Sequence, residues 1–352
     1  MRSVLLRALG ALLLSAAVAD RAAGEPLPAI GADLNRTSVS GLSSGAYMAS
    51  QFQVAYSKLV IGAGIVAGGP YGCANTPGAA FNPFWPIVVG MNLNRALSRC
   101  MDDGSLFSGV PGANELADQA QSLAENNKID PLSGLADDKV YIFSGAKDET
   151  VERAVVERAA ELYRKLGVPH DNIRFIKDDK AAHAFITEDG GLPCGTRGAP
   201  YINDCDYDQA KGILETIYGP VGRPQTNAEH GYITFEQKPF LTGLSGSGLA
   251  DEGAAYLPAP CAQGDGCAVH VVFHGCKQNR AAVGDVFIKG SGFARWADAN
   301  RIVLLFPQVA ASGANPNACW DWWGYTGPRF LEREAPQMLA VRRMLGQLAE
   351  RR

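Results

Sequence analysis

A serine between two glycines is the first feature of the sequence that could support chemistry. Residues 41–45 read GLSSG, so Ser43 lies between Gly41 and Gly45, after TSVSGL, a predicted strand, and before AYMASQFQVAYS, a predicted helix. A sharp turn at such a junction exposes its central side chain, and the helix N-terminus directs N–H groups towards it. The pattern predicts Ser43 as a nucleophile; a glycine-rich turn without catalysis is the alternative.

A serine hydroxyl needs a base that accepts its proton and a third group that orients the base. VYIFSGAKDET places Asp148 just after one predicted strand, and FIKDDKAAHAF places His183 just after the next. The order serine, acid, histidine is that of α/β hydrolases. We therefore predict Ser43, Asp148 and His183 as a catalytic triad. The alternative acids are Glu149, Asp178 and Asp179.

The second oxyanion donor of an α/β hydrolase lies on a loop that precedes the nucleophile in the chain. The segment before Ser43 is too short to hold the strands that such a loop requires. A suitable strand, HVVFHGCKQ, occurs near the other end, followed by the helix GFARWADAN and the strand RIVLLFPQV. We infer a circularly permuted α/β-hydrolase fold, which is feasible because domain termini often lie close together. The amides of Ser44 and Cys276 are the predicted oxyanion hole.

Two further clusters of chemically capable residues surround this loop. His270 and His274 lack a third ligand for zinc, so no metal is predicted, and His274 is expected to brace the loop. The segment NACWDWWGYTG holds four aromatic residues that could be core or could line a cleft for an apolar chain. Alternation along this segment favours Trp322 and Tyr325 as the substrate contacts.

Composition sets the broad class of the protein. The chain has 352 residues, of which 47% are hydrophobic, enough for a sizeable core. A net charge of −4 without a basic stripe argues against a nucleic-acid partner. Beyond the N-terminus no apolar run reaches the roughly 18 residues of a membrane span, so no membrane partner is predicted. Composition gives no prediction of the oligomeric state.

The N-terminal segment MRSVLLRALGALLLSAAVADRAAG has the layout of a secretory signal peptide, with basic, apolar and small-residue regions in order. Cleavage is expected after Ala19 or Gly24, and an N-terminal membrane anchor is the alternative. We predict a secreted or periplasmic protein, with residues 1–24 as the signal peptide and residues 25–352 as one catalytic domain.

The eight cysteines agree with an oxidising compartment, because none has the spacing of a zinc site. Proximity in sequence suggests three local disulfides and leaves one long-range pair, although sequence alone does not fix the connectivity. The suggested pairs are Cys73–Cys100, Cys194–Cys205, Cys261–Cys267 and Cys276–Cys319.

Taken together, SVSGLSSGAYMASQF, SGAKDETV, AAHAF, VVFHGC and CWDWWGY resemble single-domain poly(3-hydroxybutyrate) depolymerases, in particular those with a circularly permuted catalytic domain. The resemblance covers nearly all of the chain after the predicted signal peptide. It implies a cofactor-free serine esterase that cuts a polyester polymer or oligomer into 3-hydroxyacyl products, with the aromatic segment near Tyr325 against the substrate. Around His183 the sequence AAHAFITEDGG departs from many relatives. No linker or binding module follows the hydrolase, which favours amorphous polymer or soluble oligomers.

Three other functions compete with this interpretation. The same core serves many esters, so a feruloyl or acetylxylan esterase is the first alternative. A poly(aspartate) hydrolase is the second, but it would need a cationic cleft, which Lys147 and Arg280 do not provide. A non-catalytic binding protein is the third, and it would be expected to have a broken triad.

Overall fold

The computed structural model of the chain describes residues 24–77, 84–102, 109–225, 229–263 and 266–351, so the predicted signal peptide lies outside the described residues except for Gly24. The strands are β1 Thr37–Leu42, β2 Val60–Val66, β3 Lys139–Lys147, β4 Ile173–Ala182, β5 Phe185–Thr187, β6 Leu192–Pro193, β7 Ile202–Asp204, β8 Tyr232–Glu236, β9 Glu252–Tyr256, β10 Ala268–Phe273 and β11 Ile302–Phe306. The α-helices are α1 Ser44–Ala55, α2 Trp85–Arg99, α3 Ala113–Glu125, α4 Arg153–Lys165, α5 Gln209–Tyr218, α6 Arg280–Val283, α7 Val286–Gly290, α8 Ala294–Asn300 and α9 Pro336–Ala349. Short 3-10 turns occupy Leu34–Arg36, Leu132–Asp137, His170–Asn172, Glu229–Gly231, Lys238–Leu241 and Ala259–Gln263.

An eight-stranded sheet with the order β4-β3-β2-β1-β10-β11-β9-β8 forms the centre of the fold. The first six strands in this order, β4, β3, β2, β1, β10 and β11, run parallel to one another. Strand β9 pairs antiparallel with both β11 and β8. Every residue of β1, β10 and β11 is buried, because helices cover both faces of the sheet. β11 therefore reads as a continuous apolar run in the sequence, whereas β1 and β10 bury polar side chains, those of Ser38, Ser40 and His270, among apolar ones.

The sheet order confirms the circular permutation. In an ordinary α/β hydrolase the loop with the second oxyanion donor precedes the nucleophile in the chain. Here that loop follows β10, which comes late in the chain but lies directly beside β1 in the sheet. The strands β8 to β11 thus supply the half of the sheet that the short N-terminal segment lacks.

Two long excursions from the sheet, around residues 73–136 and 187–228, contain structure of their own. The first holds α2 and α3, which lie between β2 and β3 in the chain. The second holds β6 and β7, which form a three-stranded sheet with β5 in the order β5-β7-β6, followed by α5, which packs on β3 and β2. Both excursions leave the sheet at the carboxyl ends of parallel strands, where ligands usually bind in such sheets.

Four disulfides close loops around this core, and they are the pairs suggested by sequence proximity. Three of them join residues separated by 27, 11 and 6 positions, and the fourth joins residues separated by 43 positions. Among the described residues no cysteine is free. In the described part of the chain no helix has the length and apolar character needed to cross a membrane.

Candidate active site

The turn between β1 and α1 holds Ser43 in an unusual backbone conformation. Its φ of 58° and ψ of −121° are rarely adopted by a residue with a side chain, and such geometry is typical of strained functional positions. The turn is fixed because the Ser43 N–H donates to Val66 O at 2.9 Å and the Ser43 carbonyl accepts from Ala46 N–H at 2.9 Å. Ser43 thus stands at the N-terminus of α1.

Gly45 allows the turn to approach the neighbouring strand. A β-carbon at Gly45 would lie 2.6 Å from the His274 carbonyl oxygen and would collide with that of Phe273. Gly41 is crowded in the same way by the backbone of Gly45. The GLSSG pattern is therefore required by the packing of β1, α1 and the loop after β10.

His183 and Asp148 form a buried hydrogen-bonded pair. The distance from His183 Nδ1 to Asp148 Oδ2 is 2.8 Å, and the two side chains are only 6% and 1% exposed. The other carboxylate oxygen, Asp148 Oδ1, accepts from the backbone N–H groups of Thr150 at 2.8 Å and Val151 at 2.9 Å. These two bonds orient the carboxylate, which in turn leaves His183 Nε2 as the proton acceptor of the ring.

None of the alternative acids is bonded to His183. Asp178 Oδ1 accepts from the backbone N–H groups of Lys180 and Ala181 and so shapes the end of β4. Glu149 and Asp179 are strongly exposed and form ion pairs with arginine side chains. Of the four candidate carboxylates, Asp148 is therefore the one that is hydrogen-bonded to His183.

The loop after β10 passes directly beside the serine turn. A β-carbon at Gly275 would lie 3.6 Å from Ser43 Cβ, and Cys276 is joined to Cys319 by a disulfide. Among the described residues, neither the Ser44 N–H nor the Cys276 N–H has an acceptor. Both amides are thus free to donate to an oxyanion formed beside Ser43.

His274 braces this loop from inside the core, as the sequence predicts. Its Nδ1 lies 2.8 Å from the Gly275 carbonyl, and its Nε2 accepts from the Val309 N–H at 3.2 Å. Burial lowers the pKa of His274 to about 4, so the ring is neutral and donates from Nδ1. A neutral ring with both nitrogens engaged is suited to structural support, because neither nitrogen is free to exchange a proton with substrate.

Hydrogen bonds and one ring contact connect the surroundings of His183 to the loop after β10. The excursion that follows His183 folds back on it: Ala182 N–H donates to Cys194 O at 3.0 Å, and the Tyr201 ring lies edge-on, with centroids 6.5 Å apart. Gln278 reaches from the loop after β10 to the carbonyls of Pro200 and Tyr201. The sequence analysis missed both residues: Gln278 ends the segment HVVFHGCKQ, but its side-chain partners are distant in the chain and leave no local signal, and Tyr201 lies in no recognisable motif.

The aromatic segment packs largely inwards. Trp322 stacks on Tyr47 of α1 with ring centroids 4.1 Å apart and is only 6% exposed. Tyr325 is half-buried, and its hydroxyl donates to Cys319 O at 2.8 Å and accepts from Gln337 Nε2 at 2.8 Å. The segment forms a wall behind the serine turn, and a direct contact of Trp322 or Tyr325 with substrate stays a prediction.

A second serine–histidine cluster lies in the core and is not a candidate active site. His270 Nδ1 is 2.6 Å from Ser38 Oγ, and His270 Nε2 is 2.8 Å from Ser40 Oγ. All three residues are fully buried between β1 and β10, and burial lowers the pKa of His270 to about 3. Both ring nitrogens are occupied and no substrate can reach them, so the three side chains satisfy one another's polar groups within the sheet.

Within the described ranges no group of three histidine, cysteine or acidic side chains is arranged to hold a metal ion. The residues at the carboxyl edge of the sheet support nucleophilic and acid–base chemistry: a strained serine, an oriented histidine and two free amides.

The chain resembles known depolymerases along nearly its whole length, although no protein-family model matches it. It is 39% identical over 347 residues to a poly(3-hydroxybutyrate) depolymerase of Delftia acidovorans, covering 97% of this chain but only 65% of that protein. It is 32% identical over 342 residues to a polyhydroxybutyrate depolymerase of Talaromyces funiculosus, covering 92% of each.

Solved structures agree with this relationship. The crystal structure of a PHB depolymerase from Penicillium funiculosum superposes with a TM-score of 0.77 at 32% identity, over 92% of this chain and 98% of the other. A serine-to-alanine variant of a PHB depolymerase, complexed with an R3HB trimer, matches equally well. This chain belongs to the polyhydroxybutyrate depolymerase family.

Proposed function

We propose that this protein is a serine esterase that hydrolyses poly(3-hydroxybutyrate)-type polyesters and their oligomers, with residues 25–352 acting as one catalytic unit. The observation that carries the proposal is the buried hydrogen bond between His183 Nδ1 and Asp148 Oδ2, at the same sheet edge as the strained turn of Ser43. The family relationship and the matching structure with a bound R3HB trimer support the substrate class.

In the proposed acylation step, Ser43 Oγ attacks the carbonyl carbon of an ester bond while His183 Nε2 accepts the hydroxyl proton. Asp148 stabilises the resulting imidazolium through the Nδ1–H bond. The carbonyl oxygen becomes an oxyanion that accepts hydrogen bonds from the N–H groups of Ser44 and Cys276. One such donor typically contributes about 2.7–4 kcal/mol to transition-state stabilisation.

Collapse of this intermediate breaks the bond to the 3-hydroxyl oxygen of the adjoining unit, and His183 returns the proton to that oxygen. The acyl group then remains on Ser43 as an ester. A water molecule attacks this ester with His183 again as the base, and the acid product leaves as the proton returns to Ser43 Oγ. No step requires a cofactor or a metal, because the proton acceptor and the oxyanion donors all come from the protein.

The exposed apolar side chains of helix α2 favour a water-insoluble substrate. In the described part of the chain, five of the six large apolar side chains with high exposure lie on α2 or at its N-cap: Phe84, Ile87, Met91, Leu93 and Leu97. The helix contains no acidic residue, which suits an uncharged polyester. It is joined to the aromatic segment through hydrogen bonds from Trp85 to Gly324 O and from Asn92 to Trp323 O.

The experiment that tests the proposed function is the clearing of a suspension of amorphous poly(3-hydroxybutyrate) granules by the purified protein, beside a p-nitrophenyl ester assay. Ser43→Ala should abolish both activities and leave the thermal unfolding temperature nearly unchanged. Clearing that persists in this variant would refute the role of Ser43. Ester hydrolysis without clearing would retain the triad and move the substrate to another ester.

We also propose that the protein is exported. Four disulfides are typical of proteins from an oxidising compartment, and the predicted signal peptide supplies the route. N-terminal sequencing of the protein from culture medium and periplasm should find a start after Ala19 or Gly24. A chain that keeps its N-terminal methionine would contradict export through cleavage.

A further inference from the structure

Gln278 is a buried glutamine, 1% exposed, whose amide makes all its hydrogen bonds to backbone of two separate loops. Its Oε1 accepts from the Gly275 N–H at 2.8 Å. Its Nε2 donates to Pro200 O at 3.0 Å and to Tyr201 O at 3.2 Å. The first partner belongs to the loop that carries the Cys276 amide, and the other two belong to the excursion that packs on His183.

We propose that Gln278 is a positioning residue that sets the distance between the oxyanion donor and the base. By binding the Gly275 N–H, it turns that amide away from Ser43 and leaves the next amide, that of Cys276, to face the oxyanion. By binding two carbonyls on the other loop, it holds the Tyr201 ring at the edge of His183. This role rests on the proposed esterase function.

The link that Gln278 makes between the two loops matters because both loops act on the same reaction intermediate at the same time. The oxyanion and the proton on Ser43 Oγ are only a few bonds apart, so the donor and the base must both be in place in the transition state. Covalent connections alone do not fix this distance, because β10 and β4 lie four positions apart in the sheet. Each loop has its own disulfide, Cys276–Cys319 and Cys194–Cys205, but no disulfide joins the two.

The first test compares Gln278→Ala with a matched control, Gln237→Ala. Gln237 is equally buried and makes the same set of bonds, donating to Ala250 O and Gln308 O and accepting from the Gln308 N–H. Neither of these partner residues takes part in the proposed mechanism. Both variants should lose similar stability, but only Gln278→Ala should lower kcat for a soluble p-nitrophenyl ester, by roughly 10- to 100-fold. Its KM should change by less than about twofold, since ground-state binding is retained.

The second test uses Gln278→Glu, which replaces the donor by a titratable group. An ionised carboxylate can accept from the Gly275 N–H but repels the Pro200 and Tyr201 carbonyls, whereas a protonated one can donate to one of them. Burial raises the pKa of such a carboxyl group, so protonation falls in a usable range of pH. The ratio of kcat between Gln278→Glu and the parent should therefore rise as the pH falls.

The outcomes separate this inference from the proposed function. A parent protein without Ser43-dependent ester hydrolysis would refute the proposed function itself. An active parent in which Gln278→Ala keeps kcat, or loses no more than Gln237→Ala, would overturn the positioning role alone. A kcat ratio for Gln278→Glu that does not change with pH would also overturn it.

Discussion

Ionisation of the buried Asp138 carboxyl group should lower the free energy of unfolding as the pH rises from acid to neutral. Asp138 lies at the amino end of β3, 4% exposed, and its Oδ2 accepts from Gln53 Nε2 of α1 at 2.7 Å. Burial raises the pKa of this carboxyl group to about 7, and the charge of Asp137 adds to the shift against the opposing bond from Gln53. This edge of the sheet is opposite to the candidate active site, so the effect concerns stability.

The direction of this pH dependence follows from whether the folded protein or the unfolded chain binds the proton more tightly. Below pH 3.8, the ordinary pKa, the carboxyl is protonated in both states; from there to about pH 7 the folded protein keeps the proton while the unfolded chain loses it. The contribution of Asp138 to the free energy of unfolding is therefore fully present below pH 3.8 and is lost as the pH rises through about 7. Over about 3 pH units at about 1.36 kcal/mol each, the loss is roughly 4 kcal/mol, an upper bound because the site can relax.

Asp138→Asn removes the charge and keeps an acceptor for Gln53. The new amide also brings N–H donors, and Gln53 Oε1 is a buried acceptor without a partner among the described residues. Urea unfolding from pH 4 to pH 8 should give a variant similar to the parent at pH 4 and more stable by up to roughly 4 kcal/mol at pH 8. Asp137→Asn, at an exposed neighbour whose charge is a smaller cause of the raised pKa than burial, should change the pH dependence much less than Asp138→Asn. A difference that is independent of pH, or a variant less stable at pH 8, would refute the reasoning.

Three further predictions concern the site and its surroundings. Asp148→Asn should lower kcat/KM for a p-nitrophenyl ester by roughly 10³- to 10⁴-fold, because an amide does not hold His183 in the required tautomer. Serine replacement of both Cys276 and Cys319, 43 positions apart, should lower the free energy of unfolding by about 4 kcal/mol and also reduce kcat, since the loop with the oxyanion donor is released. Changing Ile87 and Met91 of α2 to serine should slow granule clearing and leave hydrolysis of the soluble ester unchanged.

Each of these predictions has a matched control. Glu149→Gln alters an exposed carboxylate beside Asp148 and should keep full activity. Removal of the Cys261–Cys267 disulfide, which closes a short loop away from the serine turn, should cost less stability and no activity. Val286→Ser changes an exposed apolar side chain on another helix and should not affect clearing. Equal effects of a variant and its control would contradict the corresponding prediction.

The sequence predicted the elements that carry motifs better than the elements that shape the excursions. β1, β3, β4 and β10 were recognisable because each strand ends close to residues whose types could take part in catalysis. The helix α3 has the amphipathic pattern of ANELADQAQSLAE, but it was not recognised within a long excursion. β5 to β7 have only two or three residues each, too few for a periodic signal, and they exist through pairing with one another.

By itself the sequence determined which residues stand at the carboxyl ends of the strands, because backbone geometry and hydrophobic runs are local properties. This was enough for the serine turn, the order of serine, acid and histidine, and the permuted fold. Only the tertiary structure decided that Asp148 binds His183, that Trp322 packs on Tyr47, and that Gln278 joins two loops. These contacts join residues far apart in the chain, so they depend on the order of the strands and on side-chain packing, which no local pattern encodes.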